Sequence, residues 1–171
     1  MTFAALLRGS FVAVLLPTMA WAADPLPAPT EEVVLTVTGA IEAKTAEDRA
    51  ELDLAGLEAM GTVTLQTSTI WTDGTITFRG VPLKTFLDRL GAKGSTLHIT
   101  ALNDYSVDVP VSDAVAEGGP ILAFEANGKP LSVRDKGPIW LIYPYDSDAA
   151  FRTEVIYSRS IWQIARIEVL D

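Results

Sequence analysis

Residues 78–91 read FRGVPLKTFLDRLG, and the fold follows from how this stretch divides. Ile76 and Phe78 alternate ahead of Gly80, the pattern of a strand with one face buried. Pro82 then occupies a favoured first helical position, because its missing N–H is one that a helix start leaves unbonded anyway. Leu83, Phe86, Leu87 and Leu90 follow at i, i+3, i+4 and i+7, which gathers them on one face, and Gly91 ends the run. A strand that passes directly into a short amphipathic helix predicts helices packed on the flank of a sheet.

Outward from this segment the period is mostly two. Val33, Leu35 and Val37 alternate up to Gly39, and Val63 and Leu65 alternate before Thr67. Leu97, Ile99 and Ala101 point one way and His98 the other; Tyr105, Val107 and Val109 alternate up to Pro110. Residues 46–60 predict a short strand followed by a helical turn over Leu57 to Met60, and Ser112 to Ala116 a short helix. Ile121 to Ala126 and Leu131 to Val133 flank Asn127-Gly128, a pair suited to a type I′ hairpin turn. Pro138 to Tyr143 (PIWLIY) is apolar throughout, as a strand covered on both faces would be. Near the C-terminus Trp162 and Ile164 share one parity and Ile167 and Val169 the other, so a bulge or a helix-to-strand junction is expected between them. The class is α+β, mostly β, with mixed or antiparallel sheets and flanking short helices.

The sequence has 171 residues, 13 Lys+Arg against 22 Asp+Glu, a net charge of −9, one His and no Cys. Without Cys there is no thiolate zinc site, no iron–sulfur cluster and no Cys nucleophile, and one His rules out a multi-histidine metal centre. An acidic chain with no basic block has nothing with which to displace the counterions of nucleic acid or of an anionic membrane. The apolar stretch Phe11 to Ala22, with small residues at Ala20 and Ala22, reads as an export signal over residues 1–22. Pro17 and Asp24 leave the run too short for a membrane span, which needs about 20 apolar residues. Cleavage after Ala22 implies a periplasmic protein. Residues 23–30, ADPLPAPT, read as a proline-rich leader, and residues 31–171 as a single domain.

The search for chemistry narrows quickly. His98 within TLHIT reads as a half-buried strand histidine, and no Gly-x-Ser-x-Gly elbow precedes a helix. Asp146 and Asp148 in YPYDSDAAF read as a solvated turn, without the further oxygen ligands a calcium site needs. Gly118-Gly119 leads into a strand instead of opening a helix, so it is no phosphate loop. Trp71, Tyr105, Trp140, Tyr143, Tyr145, Tyr157 and Trp162 cluster near strand ends, mostly as packing mass. Arg159, between two serines, has three readings: a snorkelling surface residue, a partner for an acid such as Asp104, or a residue facing an anion pocket.

The succession VTLQTSTIWTDG, FRGVPLKTFLDRLG, DYSVDVPVSDA, GKPLSVRDKGPIWLIYPYD and YSRSIWQIARIEVL resembles the oxidoreductase molybdopterin-binding domain family, the fold of the sulfite oxidase catalytic domain, and specifically its short periplasmic bacterial members. The resemblance runs from about Val33 to Leu170. It implies a pterin-bound molybdenum that transfers an oxygen atom. It also implies a metal-ligating cysteine where this chain has Thr67, whose hard, protonated hydroxyl is no substitute for a soft thiolate. The expected function is therefore a non-catalytic binding or accessory module that needs no cofactor, with molybdopterin entering only through the resemblance. The alternatives are an active molybdopterin-dependent oxidoreductase and a protein-interaction domain without a small-molecule site. The expected partner is a periplasmic protein or a small anionic ligand, and the candidate pocket comprises Thr67, Asp104, Tyr105, Tyr143 and Arg159.

Cleavage after Ala22 gives a secreted chain that begins Ala23-Asp24-Pro25. Its intact mass checks this, and a secreted form that retains Arg8 contradicts it.

Overall fold

In chain order the strands are β1 (Leu35–Gly39), β2 (Ala50–Leu52), β3 (Val63–Ser68), β4 (Thr75–Pro82), β5 (Thr96–Ala101), β6 (Ser106–Pro110), β7 (Ile121–Ala126), β8 (Lys129–Pro130), β9 (Trp140–Ile142) and β10 (Ile164–Leu170). They form two five-stranded sheets, one in the order β2-β1-β10-β5-β6 and the other β3-β4-β7-β8 with β9 also on β7. Only the pairing of β1 with β10 is parallel. Three short helices, α1 (Leu54–Ala59), α2 (Leu83–Leu90) and α3 (Glu154–Arg159), complete the α+β architecture. This computed structural model describes residues 26–171, so the expected export signal over residues 1–22 lies outside the described residues. No helix among them is long and apolar enough to cross a membrane.

The deciding segment folds as its pattern dictates. Leu83, Phe86, Leu87 and Leu90 are all buried, and Gly91 adopts the left-handed conformation that closes the helix. Pro82 ends β4 and caps α2, one residue before its expected place inside the helix. Gly80 sits where the β4–β7 register shifts, between Arg79 and Gly80. A Cβ there would lie 2.2 Å from the Leu122 carbonyl oxygen, so only glycine lets the two backbones come this close. The parity change near the C-terminus is a register shift between Ile164 and Arg166, which brings Ile164, Ile167 and Val169 all into the core.

Three expectations change. The helical turn expected over residues 57–60 is α1, which starts at Leu54 because the buried Asp53 carboxylate accepts the Gly56 N–H at 2.7 Å. The same carboxylate accepts the N–H groups of Thr30 and Glu31, and Leu26 is buried in the core, so the end of the proline-rich leader is docked on the domain. These backbone donors, Gly56 foremost, hold the Asp53 carboxyl below its usual range. The hairpin turns at Asn127 and Gly128, both with positive φ as a type I′ turn requires. Its return strand is only Lys129–Pro130: residues 131–133 leave the ladder for a 3-10 turn (Val133–Asp135), capped by the Ser132 side chain. The short helix expected over residues 112–116 is likewise one 3-10 turn, Val111–Asp113.

Strand β9 joins the two sheets. Its three residues are buried. One edge pairs with β7, and on the other the Leu141 N–H donates to the Ile161 carbonyl while the Ile164 N–H donates to the Ile139 carbonyl.

Gly80→Ala should cost about 3 kcal/mol, the upper end of overpacking losses, because the clash is with backbone that cannot rotate away. A lower denaturant midpoint at unchanged slope is the expected readout.

Candidate functional site

The candidate residues fall into three separate environments. Thr67, at the inner end of β3, is fully buried. Its hydroxyl donates to the Ser68 carbonyl and accepts the Asp146 N–H, both at 3.2 Å. In return the Asp146 carboxylate accepts the Ser68 hydroxyl and the Ser68 N–H, each at 2.6 Å. These bonds, the Ser68 hydroxyl first, hold the Asp146 carboxyl below its usual range. Asp146 stands in an exposed turn, as its sequence setting implied, and from there its carboxylate latches the end of β3 to the chain that follows β9.

A second group forms around Asp113, which the sequence did not single out. The Tyr143 hydroxyl donates to its carboxylate at 2.7 Å, and one Arg159 amino group donates to both carboxylate oxygens at 3.0 and 3.2 Å. Burial, reinforced by the Asp113 carboxylate, pushes the Tyr143 phenol far above its usual range, so it acts as a neutral donor. Arg159 is therefore paired with an acid, but the acid is Asp113 and not Asp104. The reason is placement: α3 packs beside β6, next to the 3-10 turn that carries Asp113, whereas Asp104 stands with positive φ at the tip of the β5–β6 hairpin. There it is exposed and pairs with Arg166 at 2.8 Å.

The third environment is a cavity of about 440 Å³ walled by Trp71, Tyr105, Tyr157 and Trp162, with Asn103, Ser158 and Ser160 as polar lining and Ala101 and Ile161 as apolar lining. Of the five candidate residues only Tyr105 lines it. The other walls had been read chiefly as packing mass. Trp71 is the hub of the cluster: its ring lies 5.7 Å from Trp162, 5.8 Å from Tyr157 and 5.8 Å from Trp140, each at a steep angle. Ser160 anchors the floor, accepting the Tyr145 hydroxyl at 2.6 Å while its carbonyl accepts the Trp140 indole N–H at 3.0 Å. Burial pushes the Tyr145 phenol up to about 12. Tyr157 and Ser158 arrive on α3, a helix that has no fully buried residue and so no apolar period in the sequence. Its available signal was local: Thr153 accepts the Ile156 N–H as a cap and Glu154 occupies the first turn.

His98 is a cross-strand partner of Asp108, with Nδ1 2.7 Å from the carboxylate, at the half-exposed position its strand pattern implied. Among the described residues no group of three or more His, Cys, Asp or Glu is placed to hold a metal ion.

The family model described as "Oxidoreductase molybdopterin binding domain" matches residues 25–147. No curated protein matches the sequence. Among solved structures, the chain is similar to the sulfane dehydrogenase SoxCD from Paracoccus pantotrophus, with 17% identity and a TM-score of 0.54. The alignment covers 80% of this chain and 38% of that one, so this chain spans well under half the length of that relative, and the likeness is one of fold.

Arg159→Ala should destabilise the domain by about 2 kcal/mol, since it strips charge-assisted hydrogen bonds from a largely buried carboxylate. Among the described residues Arg152 donates only to the Tyr145 carbonyl, at 3.3 Å, and Arg152→Ala should cost under about 1 kcal/mol. Denaturant midpoints of the two variants test the contrast; equal losses would mean that the Asp113 pair contributes nothing special.

Proposed function

Because the chain belongs to the oxidoreductase molybdopterin-binding domain family, we propose that it retains that family's fold as a non-catalytic, exported binding module. The observation that carries this reading is Thr67. The family resemblance places a molybdenum-ligating thiolate here, and the whole sequence contains no cysteine to supply one. The threonine oxygen is a hard donor, and its hydrogen bonds are spent on Ser68 and Asp146. Making it an anionic metal ligand would require an alkoxide in a fully buried site next to Asp146, whose carboxylate disfavours that ionisation. The donor set does not fit a molybdenum–pterin centre, and no chemical step is assigned to one.

A binding role is supported by the aromatic cavity, which lies in the size range of small-molecule sites and combines apolar walls with a few polar groups. An apolar leader ending at Ala22 supports export to the periplasm.

Protein purified from its own source should contain molybdenum and pterin far below one equivalent per chain, measured by elemental analysis and by fluorescence of oxidised pterin. Near-stoichiometric molybdenum would overturn the non-catalytic reading in favour of an oxidoreductase with an unconventional ligand.

A further inference from the structure

Resting on the binding-module reading, we propose that the cavity walled by Trp71, Tyr105, Tyr157 and Trp162 is a site for a small organic cation with a methylated ammonium head. The lining carries no lysine and no arginine, and Arg159, the cation expected to face an anion, is turned to Asp113. Without a fixed positive charge, such a pocket has little with which to hold the small anionic ligand expected from the sequence. Its electrostatics come from the aromatic rings, whose faces are negative and attract cations.

The geometry suits that attraction. Trp162 meets Trp71 at 69° and Tyr157 meets Trp71 at 85°, so the rings lining the cavity are steeply inclined to one another, an arrangement that a rounded ammonium head fits better than a flat ligand does. One of these rings already holds a cation outside the cavity: the Lys136 ammonium sits 5.2 Å from the Trp162 ring, and 5.6 Å from the ring of Trp140, which does not line the cavity. Lys136 lines the neighbouring cavity of about 260 Å³, which shares Trp71 with this one, so it does not occupy the proposed site. The chain's net charge of −9 favours the approach of a cation over that of an anion. The polar groups match the rest of such a ligand. Among the described residues the phenol oxygens of Tyr105 and Tyr157 make no protein hydrogen bond, while the Ser158 and Ser160 hydroxyls already donate to backbone carbonyls. A volume of about 440 Å³ leaves space for a short hydroxylated arm beside the ammonium head, with the phenols and the Asn103 amide within the same lining.

The test is calorimetric titration of the purified mature protein with choline, with tetramethylammonium, and with 3,3-dimethylbutan-1-ol, the uncharged isostere of choline. Choline and tetramethylammonium should both bind saturably, and the neutral alcohol about tenfold more weakly or worse, the discrimination expected of a cation held by ring faces. Tyr105 is 55% exposed, so Tyr105→Ala should leave the thermal midpoint unchanged while weakening choline by about fivefold to tenfold. Tyr105→Phe should retain tetramethylammonium binding, because the ring face remains. Equal affinity for the alcohol and choline, no saturable binding of either cation, or unaltered choline affinity in Tyr105→Ala would each overturn the assignment. These outcomes are separate from the metal content of the protein: a molybdenum-free chain that ignores choline refutes the ligand class alone, and a molybdenum-loaded chain refutes the module reading whatever it binds.

Discussion

The structure depends on the constraint imposed by β9. Its residues Trp140, Leu141 and Ile142 are buried on both faces, so no water reaches the backbone groups between them and each must find a protein partner. Strand β7 satisfies one edge. The other edge can be met only by chain from the far sheet, and residues 161–164 meet it through the Leu141, Ile161, Ile139 and Ile164 backbone bonds and the Trp140–Trp162 bridge. One apolar strand thus obliges the two sheets to share a seam.

The aromatic cavity lies beside that seam. Holding residues 161–164 against β9 places Ser160 under the Trp140 indole and beside the Tyr145 phenol, which fixes the floor of the aromatic cavity. It also sets the position of α3, whose last residue, Arg159, pairs with Asp113. The aromatic pairs around Trp71 add rigidity, since steeply angled ring contacts of this kind each contribute about 0.5–1.5 kcal/mol beyond their buried area. The cavity is accordingly walled where the β3–β4 and β5–β6 turns meet α3 and the segment that follows it.

Features with a local cause were legible in the sequence. The Gly80-Val81-Pro82 transition, the α2 face, the Asn127-Gly128 turn and the parity change before Ile167 each state their geometry within a few residues. Two local elements were misjudged because the competing signal was a polar side chain: Asp53 starts α1 early by capping it, and Ser132, after a proline that cannot donate to a ladder, ends β8 early. The candidate site was less legible for a different reason. Tyr143 and Arg159 do converge, but on Asp113, which is 46 residues from Arg159, and nothing in a sequence period records that distance. Asp104 was the plausible acid by composition, and the hairpin geometry assigns it to Arg166 instead. The walls of the cavity were visible as an aromatic cluster but not as a cavity, because α3 buries no residue completely and leaves no periodic trace.

The distribution of hydrogen-bonding capacity separates the two places where a ligand might be sought. At Thr67 the polar groups are matched internally: the Thr67 and Ser68 hydroxyls, the Asp146 carboxylate, the Ser68 carbonyl and the Ser68 and Asp146 amides close a latch of four hydrogen bonds. A guest there would have to break those bonds first, and each broken bond that left a buried partner would cost about 1–3 kcal/mol. At the aromatic cavity the situation is reversed. The hydroxyls needed for structure, on Ser158, Ser160 and Tyr145, are paired with the fold, while the Tyr105 and Tyr157 phenols make no protein hydrogen bond among the described residues. The hydrogen bonding at Thr67 has a consequence of its own. It seals the end of β3, whereas the ring-walled cavity near the seam keeps two phenols without a protein hydrogen bond among the described residues.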